Sequence, residues 1–294
     1  MGTVAVGGVR LLAAPVALAL LLAGTACGER KEPTGPLVQV FPVTVQGAGE
    51  RPAIVHAVPH RIVPLGAGPR QILRALGLQA RTVTVNDQLV GLPLVGQIRR
   101  AHPDLIVASG DTDPLDLARA RSSTHAAVYV EPDAGVDDVA RAIGDIGLLT
   151  GKPVAARRVT GALERTRRSV EHKLGGAPVV SVFVDQGGFT TVAARSLLGD
   201  LVREAHGTSV AGASPEQGPF PLRRLAKLNP QVYLSVSGSG TSLAQLRRNP
   251  LTKHLRAVRD HRFGVVPARL VAPGPDIGAG LEQIARILHP AAFR

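Results

Sequence analysis

Val154–Leu174, VAARRVTGALERTRRSVEHKL, is the longest helical pattern in the chain, and its position decides the fold. Roughly twenty residues of α-helix span about 30 Å. One side is heavily charged (Arg157, Arg158, Glu164, Arg165, Arg167, Arg168, Glu171), and Gly175, Gly176 and Pro178 end the pattern. On either side, short aliphatic runs alternate with amphipathic stretches, the pattern of an α/β domain. Upstream, Arg61–Leu65, Thr82–Val85, Pro103–Ser109 and His125–Val130 read as strands. Pro69 suits the first turn of a helix running to Leu76 and closed by Gly77. Val136–Leu148 reads as a second helix, with Val136, Val139, Ala140, Ile143 and Gly147 on one face. Downstream, Val179–Val184, Gln231–Ser237 and Phe263–Pro267 read as strands, and Ser196–His206, Ser242–Arg247 and Asp276–Leu288 as helices. The expected architecture is two similar α/β halves joined by one long helix.

The N-terminus decides where the protein works. Arg10 precedes an apolar run from Leu11 to Ala23, then Gly24-Thr25-Ala26 and Cys27, the single cysteine of the chain. That layout is a secretory leader, and the run is short for a membrane span. Cys27 after small residues is similar to a bacterial lipobox, in which the thiol is acylated; Gly24 stands where leucine is usual. An ordinary cleaved leader or an uncleaved anchor is the alternative. The expected organisation is leader 1–27, flexible tether 28–40, N-terminal half 41–151, linking helix 152–176 and C-terminal half 177–294.

With no further cysteine, the exported fold has no internal disulfide and depends on its core, for which about 250 residues suffice. That core is aliphatic: the chain is 45% hydrophobic but 3% aromatic, with no Trp. Few flat rings are available for stacking, which argues against a sugar-stacking lectin or an aromatic nucleic-acid groove. The net charge of +12 favours anionic lipid, polymer or ligand. The arginines are spread along the chain, and an exported protein rarely meets nucleic acid.

The order of motifs resembles the helical-backbone (class III) periplasmic binding proteins, which serve importers of iron-siderophores, haem and cobalamin. Phe41–Val45 resembles the opening strand, and Pro59–Gly66 with Ile72–Gly77 resembles P-x-R-I-V-x-L…I-L-x-A-L-G. Leu92–Gly96 and His102–Ile106 match L-P-x-V-G and K-P-D-L-I, and Leu197–Leu201 with Gly207 matches F-L-G-D-L…G-G. Leu228–Pro230, Pro250-Leu251, Pro273–Pro275 and Ile284–Pro290 complete the series. The resemblance implies two α/β lobes flanking a ligand cleft, with hinge motion restricted by the long helix. It also implies capture of a solute for an ABC permease from the extracytoplasmic face of the membrane, by a monomer. No G-x-S-x-G elbow, Walker A loop or H-E-x-x-H is present, so no enzyme is expected.

Two departures bear on docking. The family's lobe-one acid falls where Arg99 and Arg100 stand, and its lobe-two acid aligns with Arg223. Arginine facing a permease arginine repels, so either the partner has reversed charges or the chain is a non-transport interaction lipoprotein with a degenerate cleft.

The loops that follow strands in open α/β sheets bind ligands. The candidates there are Arg70, Arg195 and Arg269 for an anionic ligand, with Asn86, Asp111, Gln186, Ser237 and Ser239 as polar contacts and Phe189 as a cleft wall. Tyr233 is a second candidate for the cleft wall, with core as the stronger reading because it falls within a strand. Each arginine has a surface salt bridge as its alternative, and each polar loop residue a capping role. The nine histidines include no two at metal-ligand spacing on one helix face, so no metal or cofactor is expected. Absence of Trp disfavours cobalamin. A ferric siderophore held in a basic cleft is the leading expectation, with a cobalamin or haem binder as the alternative.

Overall fold

Aliphatic runs become strands buried on both faces, as a parallel sheet covered by helices requires. The computed structural model describes residues 2–3, 40–193, 195–212 and 218–294; the rest of the leader, Cys27 included, and nearly all of the tether lie outside them. A short antiparallel ribbon, β1 (Val43–Val45) and β2 (Ala53–Val55), opens the fold. Then come β3 (Ile62–Leu65), α1 (Ala67–Ala75), α2 (Leu92–Ala101), β4 (Leu105–Ala108), α3 (Pro114–Thr124), β5 (Ala127–Val130) and α4 (Val136–Leu149). The order β3-β4-β5 is parallel throughout, pairing Ile62 with Leu105 and Leu105 with Ala127.

Thr82–Val85 does not extend this sheet as expected. It makes one bridge, Thr82 to Ile62, and the Val83 N–H donates to the Ile62 carbonyl at 2.8 Å. The Thr82 hydroxyl bonds back to the Leu78 carbonyl, so the segment leaves a tight turn still curled. α2 and α3 were not read from periodicity: α2 opens on the Leu92-Pro93 step, and α3 is capped by Asp113, which accepts the Leu115 N–H at 2.8 Å.

The linking helix α5 is Pro153–Leu174, one residue longer than predicted because Pro153 serves as its first-turn residue. Ala156, Leu163, Val170 and Leu174 form its buried stripe. The second half continues as β6 (Val180–Asp185), β7 (Thr190–Thr191), α6 (Leu197–Glu204), β8 (Gly207–Ser209), β9 (Gly218–Pro219), α7 (Leu222–Leu228), β10 (Val232–Val236), α8 (Leu243–Arg248), α9 (Arg256–Arg259), β11 (Phe263–Val266), α10 (Ala268–Val271) and α11 (Ile277–Leu288). Its parallel sheet has the order β11-β10-β6-β8. Ile277, Leu281, Ile284 and Leu288 form the buried face of α11, a helical spacing that seats it on α5 and α6. Tyr233 is fully buried in β10 against Phe183 and Phe263, as the sequence reading has it.

One aliphatic core runs through both lobes, from Val139 and Ile143 of α4 past Leu163 of α5 to Leu201 of α6 and Ile284 of α11. Two polar links reinforce it. Gly135 gives α4 no side-chain cap, and Asp200 of α6 supplies one from the other lobe by accepting the Val136 N–H at 2.9 Å. Arg167 of α5 reaches Glu204 of α6 at 2.6 Å, Asp137 of α4 at 2.8 Å and Glu164 of its own helix at 2.9 Å. Among the described residues, no helix is long and apolar enough to cross a membrane.

The α4–α5 corner depends on a missing side chain. A Cβ on Gly147 would collide with that of Ala156, whereas one on Gly144, in the same helix, meets nothing within 4 Å. Gly147→Ala is therefore expected to destabilise by about 1–2 kcal/mol, overpacking outweighing the helix-propensity gain. Gly144→Ala should stabilise by about 0.5–1 kcal/mol. Urea unfolding of the pair checks the opposite signs.

Candidate functional site

Three parallel strands end side by side, and their C-terminal ends carry Gly66 after β3, Ser109 after β4 and Glu131 after β5. Over these ends lies a cavity of about 430 Å³, within the usual range for small-molecule sites. Leu89, Val90 and Leu94 supply apolar wall, and Ala272 and Pro273 close it from the C-terminal lobe.

Its polar lining is acidic. Asp87, Asp111, Asp113, Asp116, Glu131 and Asp133 line it together with one cation, Arg70. The Gly66 N–H donates to Asp87 Oδ2 at 2.7 Å, and Arg70 pairs with the same oxygen. Burial pushes the Asp87 carboxyl up, but the Gly66 N–H and the Arg70 guanidinium outweigh it and hold it below the ordinary value. Gly66 sits at φ +105, a conformation open to glycine, and a Cβ there would collide with Ser109. Asp113 is engaged as the α3 cap, and Asp116 accepts the Gly91 N–H at 2.7 Å. The Ser109 hydroxyl donates to Asp111.

Glu131 has no such support. It is 1% exposed, and neither carboxylate oxygen has a hydrogen-bond partner among the described residues. Burial, then the charges of Asp133 and Asp111, push its pKa up to about 8. Burial and the same neighbouring charge raise Asp133 as well.

The cleft therefore has the opposite sign from the basic one expected. Net charge of the whole chain carries no information about one concave surface, and arginines such as Arg99, Arg100 and Arg223 stand exposed away from it. Of the residues singled out from sequence, Arg70 and Asp111 line the cavity. Asn86 is next to it, its side-chain carbonyl accepting the Gln88 N–H at 3.2 Å and its own N–H donating to Gln97. Gln186, Phe189, Ser237 and Ser239 belong to the loops after β6 and β10, outside the cavity lining. There Ser237 accepts the Ala268 N–H at 2.9 Å, Ser239 bonds Ser235 at 2.6 Å, and Phe189 packs on the core of its own lobe. Asp185, fully buried at the end of β6, organises that edge by accepting from Tyr233 Oη and Thr241 Oγ1, both at 2.6 Å. Arg195 is exposed, and Arg269 is paired at 3.7 Å with exposed Asp276. Arg99 and Arg100, on the last turn of α2, and Arg223, on the first turn of α7, are also exposed.

Glu131 and Asp133 were missed by the sequence reading. The available signal was an acid directly following a buried aliphatic strand, in Val130-Glu131-Pro132-Asp133. No three His, Cys, Asp or Glu side chains among the described residues converge as a metal-binding set.

Residues 69–270 match the family described as "Periplasmic binding protein", more than half of the chain. The chain belongs to this family. The Bacillus subtilis (strain 168) protein named "Uncharacterized ABC transporter substrate-binding lipoprotein YvrC" is 23% identical over 96% of this chain and 97% of its own length. Among solved structures, Helicobacter pylori CeuE with Ni(II) bound is 14% identical with a TM-score of 0.74, covering 85% of this chain and 90% of that one. The periplasmic vitamin B12 binding protein BtuF of Vibrio cholerae is 16% identical with a TM-score of 0.70, covering 80% and 99%. The two-lobed α/β architecture is thus that of a periplasmic solute-binding protein.

Proposed function

We propose that the chain is the extracytoplasmic solute-binding component of an ABC importer, held at the membrane through Cys27, with a metal chelate of the siderophore class as its solute. The observation that carries this is the formed cavity at the C-terminal ends of β3, β4 and β5, closed from the other lobe by Ala272 and Pro273. The name of the Bacillus relative supports the importer context and the lipid anchor, and neighbours named for Ni(II) and vitamin B12 support a metal chelate as solute. The acidic lining removes the argument for an anionic chelate. A ferric siderophore still leads, since its peripheral charge varies from molecule to molecule. A second reading, an interaction lipoprotein that does not feed a standard permease, is favoured by the exposed Arg99, Arg100 and Arg223.

The test is thermal unfolding of the full-length chain in mild detergent, followed with a dye because no Trp is present. The panel is ferric hydroxamate siderophores, cobalamin, haemin and divalent metals. A true ligand at 100 times its Kd adds about 2.7 kcal/mol, or about 5–10 °C in Tm. A selective rise with one chelate class is expected. Silence across the panel in a cooperative melt overturns the chelate reading.

A further inference from the structure

We propose that the cleft selects a ligand bearing an N–H cation, a primary ammonium or a guanidinium, and that Glu131 is the residue that anchors it. This deepens the solute-binding reading above and rests on it. Glu131 lines the cavity and is 1% exposed, yet both its oxygens are unpartnered among the described residues. Buried carboxyls are normally satisfied, so this one calls for a donor that arrives from outside the chain. The local geometry agrees. A Cβ on Gly68 would collide with Glu131 Oε1 and stand 2.8 Å from the Pro273 carbonyl oxygen. One acceptor from each lobe thus lies against Gly68 in the cavity wall.

The sign of the surroundings narrows the donor. Asp87 is neutralised by Arg70, Asp113 is spent on the α3 cap, and Asp116 is held by the Gly91 N–H and by Arg119 at 3.4 Å. Among the described residues Glu131, Asp133 and Asp111 have no cation, and an anionic group would meet all three. A quaternary ammonium is recognised by aromatic faces, and no aromatic residue lines this cavity. A bare metal ion needs converging ligands, and no such set is present among the described residues. An ammonium or guanidinium needs only oxygens to accept its N–H bonds, and those bonds are the strong, charge-assisted kind.

A cation also favours the ionised form of Glu131. The charged groups facing it are Asp133 and Asp111, with the Arg70–Asp87 pair, Asp113 and Asp116 around the same cavity. No histidine lines this cavity, so a cationic ligand should bind more tightly as rising pH ionises Glu131. An anionic ligand should do the reverse.

The experiment is thermal unfolding of the full-length chain in mild detergent with n-butylammonium, n-butylguanidinium, tetramethylammonium or butyrate, at matched ionic strength. The first two should raise Tm by about 2–4 °C at a few times their Kd, more at pH 8 than at pH 6, and the last two should not. Glu131→Gln should abolish the rise, and Asp133→Asn should reduce it. Equal shifts with all four probes, a preference for butyrate, or an undiminished response in Glu131→Gln overturns the proposal. If Glu131→Gln does not melt cooperatively, Asp133→Asn and the pH trend of the unmodified chain decide. A response to these cations alongside silence to every chelate keeps this inference and removes the chelate reading; the converse removes this inference alone.

Discussion

Glu131→Gln is expected to make the ligand-free protein more stable at pH 8 than the unmodified chain, and to remove a pH dependence of about 2 kcal/mol between pH 6 and pH 8. In the folded chain the Glu131 carboxyl keeps its proton up to about pH 8, against the ordinary value of 4.5. Between those values the folded state holds a proton that the unfolded state has released. Stability therefore falls as pH rises, at up to about 1.4 kcal/mol per pH unit, and the loss levels off above pH 8. Glutamine has the shape of the protonated acid and does not titrate. The difference between the two chains isolates this group from the histidines, which titrate in both. Measured as Tm against pH, the gap between the two proteins should widen by about 4–8 °C from pH 6 to pH 8. Parallel curves for the two proteins would mean that Glu131 is already ionised in the folded state.

Arg167→Ala is the second large effect, with an expected loss of about 2–4 kcal/mol, or a fall of about 5–12 °C in Tm. Its guanidinium joins three helices, pairing with Glu204 of α6, Asp137 of α4 and Glu164 of α5. The Glu204 side chain is 12% exposed, and burial already pushes its carboxyl up against the restraining Arg167. Without Arg167 it becomes a largely buried, unpaired charge, which costs far more than a surface pair is worth. Arg203 is the control. It pairs with Asp200 of α6, its own side chain is 71% exposed, and Arg203→Ala should stay within about 0.5–1 kcal/mol of the unmodified chain. Because Arg167 ties α4 and α6 to the backbone helix, its loss should also raise hydrogen exchange at the Val136 N–H, the amide capped across the lobes by Asp200. Equal losses for the two arginines would remove the distinction drawn between them.

The elements legible in the sequence were those whose burial pattern is periodic and complete within one segment. Strands such as Ile62–Leu65 and Val232–Val236 are buried along their whole length and so read as unbroken aliphatic runs. α4, α5 and α11 carry apolar stripes that repeat at helical spacing for three turns or more. Thr82–Val85 has the composition of a strand but lacks the pairing. Its β-branched residues pack against the lobe core from one side, and composition cannot tell packing from a hydrogen-bonded ladder. α3 was missed because, with Asp116, Leu117 and Ala120 as its buried positions, it has almost no apolar stripe to read.

The site divides along the same line. Sequence pointed to the loops after β4, β6 and β10 as the ligand edge; of these the β4 loop, with Asp111, lines the cavity, where Arg70 of α1 joins it. It gave the edge the wrong sign, because charge was read as a total and weight was put on arginines. Arg70 is spent on Asp87, a partner 17 residues away in the chain, and Arg195 lies exposed. What the sequence by itself determined is local: strands, helices, the linking helix and which ends of the strands are open. Only the tertiary structure decided which acids stand beside one another without a cation. Backbone periodicity is settled within a few residues, whereas the electrostatics of a cavity are summed over side chains that chain crossings bring together. Asp111 and Glu131 come from the ends of adjacent strands, and Pro273 from the opposite lobe. No local window of sequence contains all three.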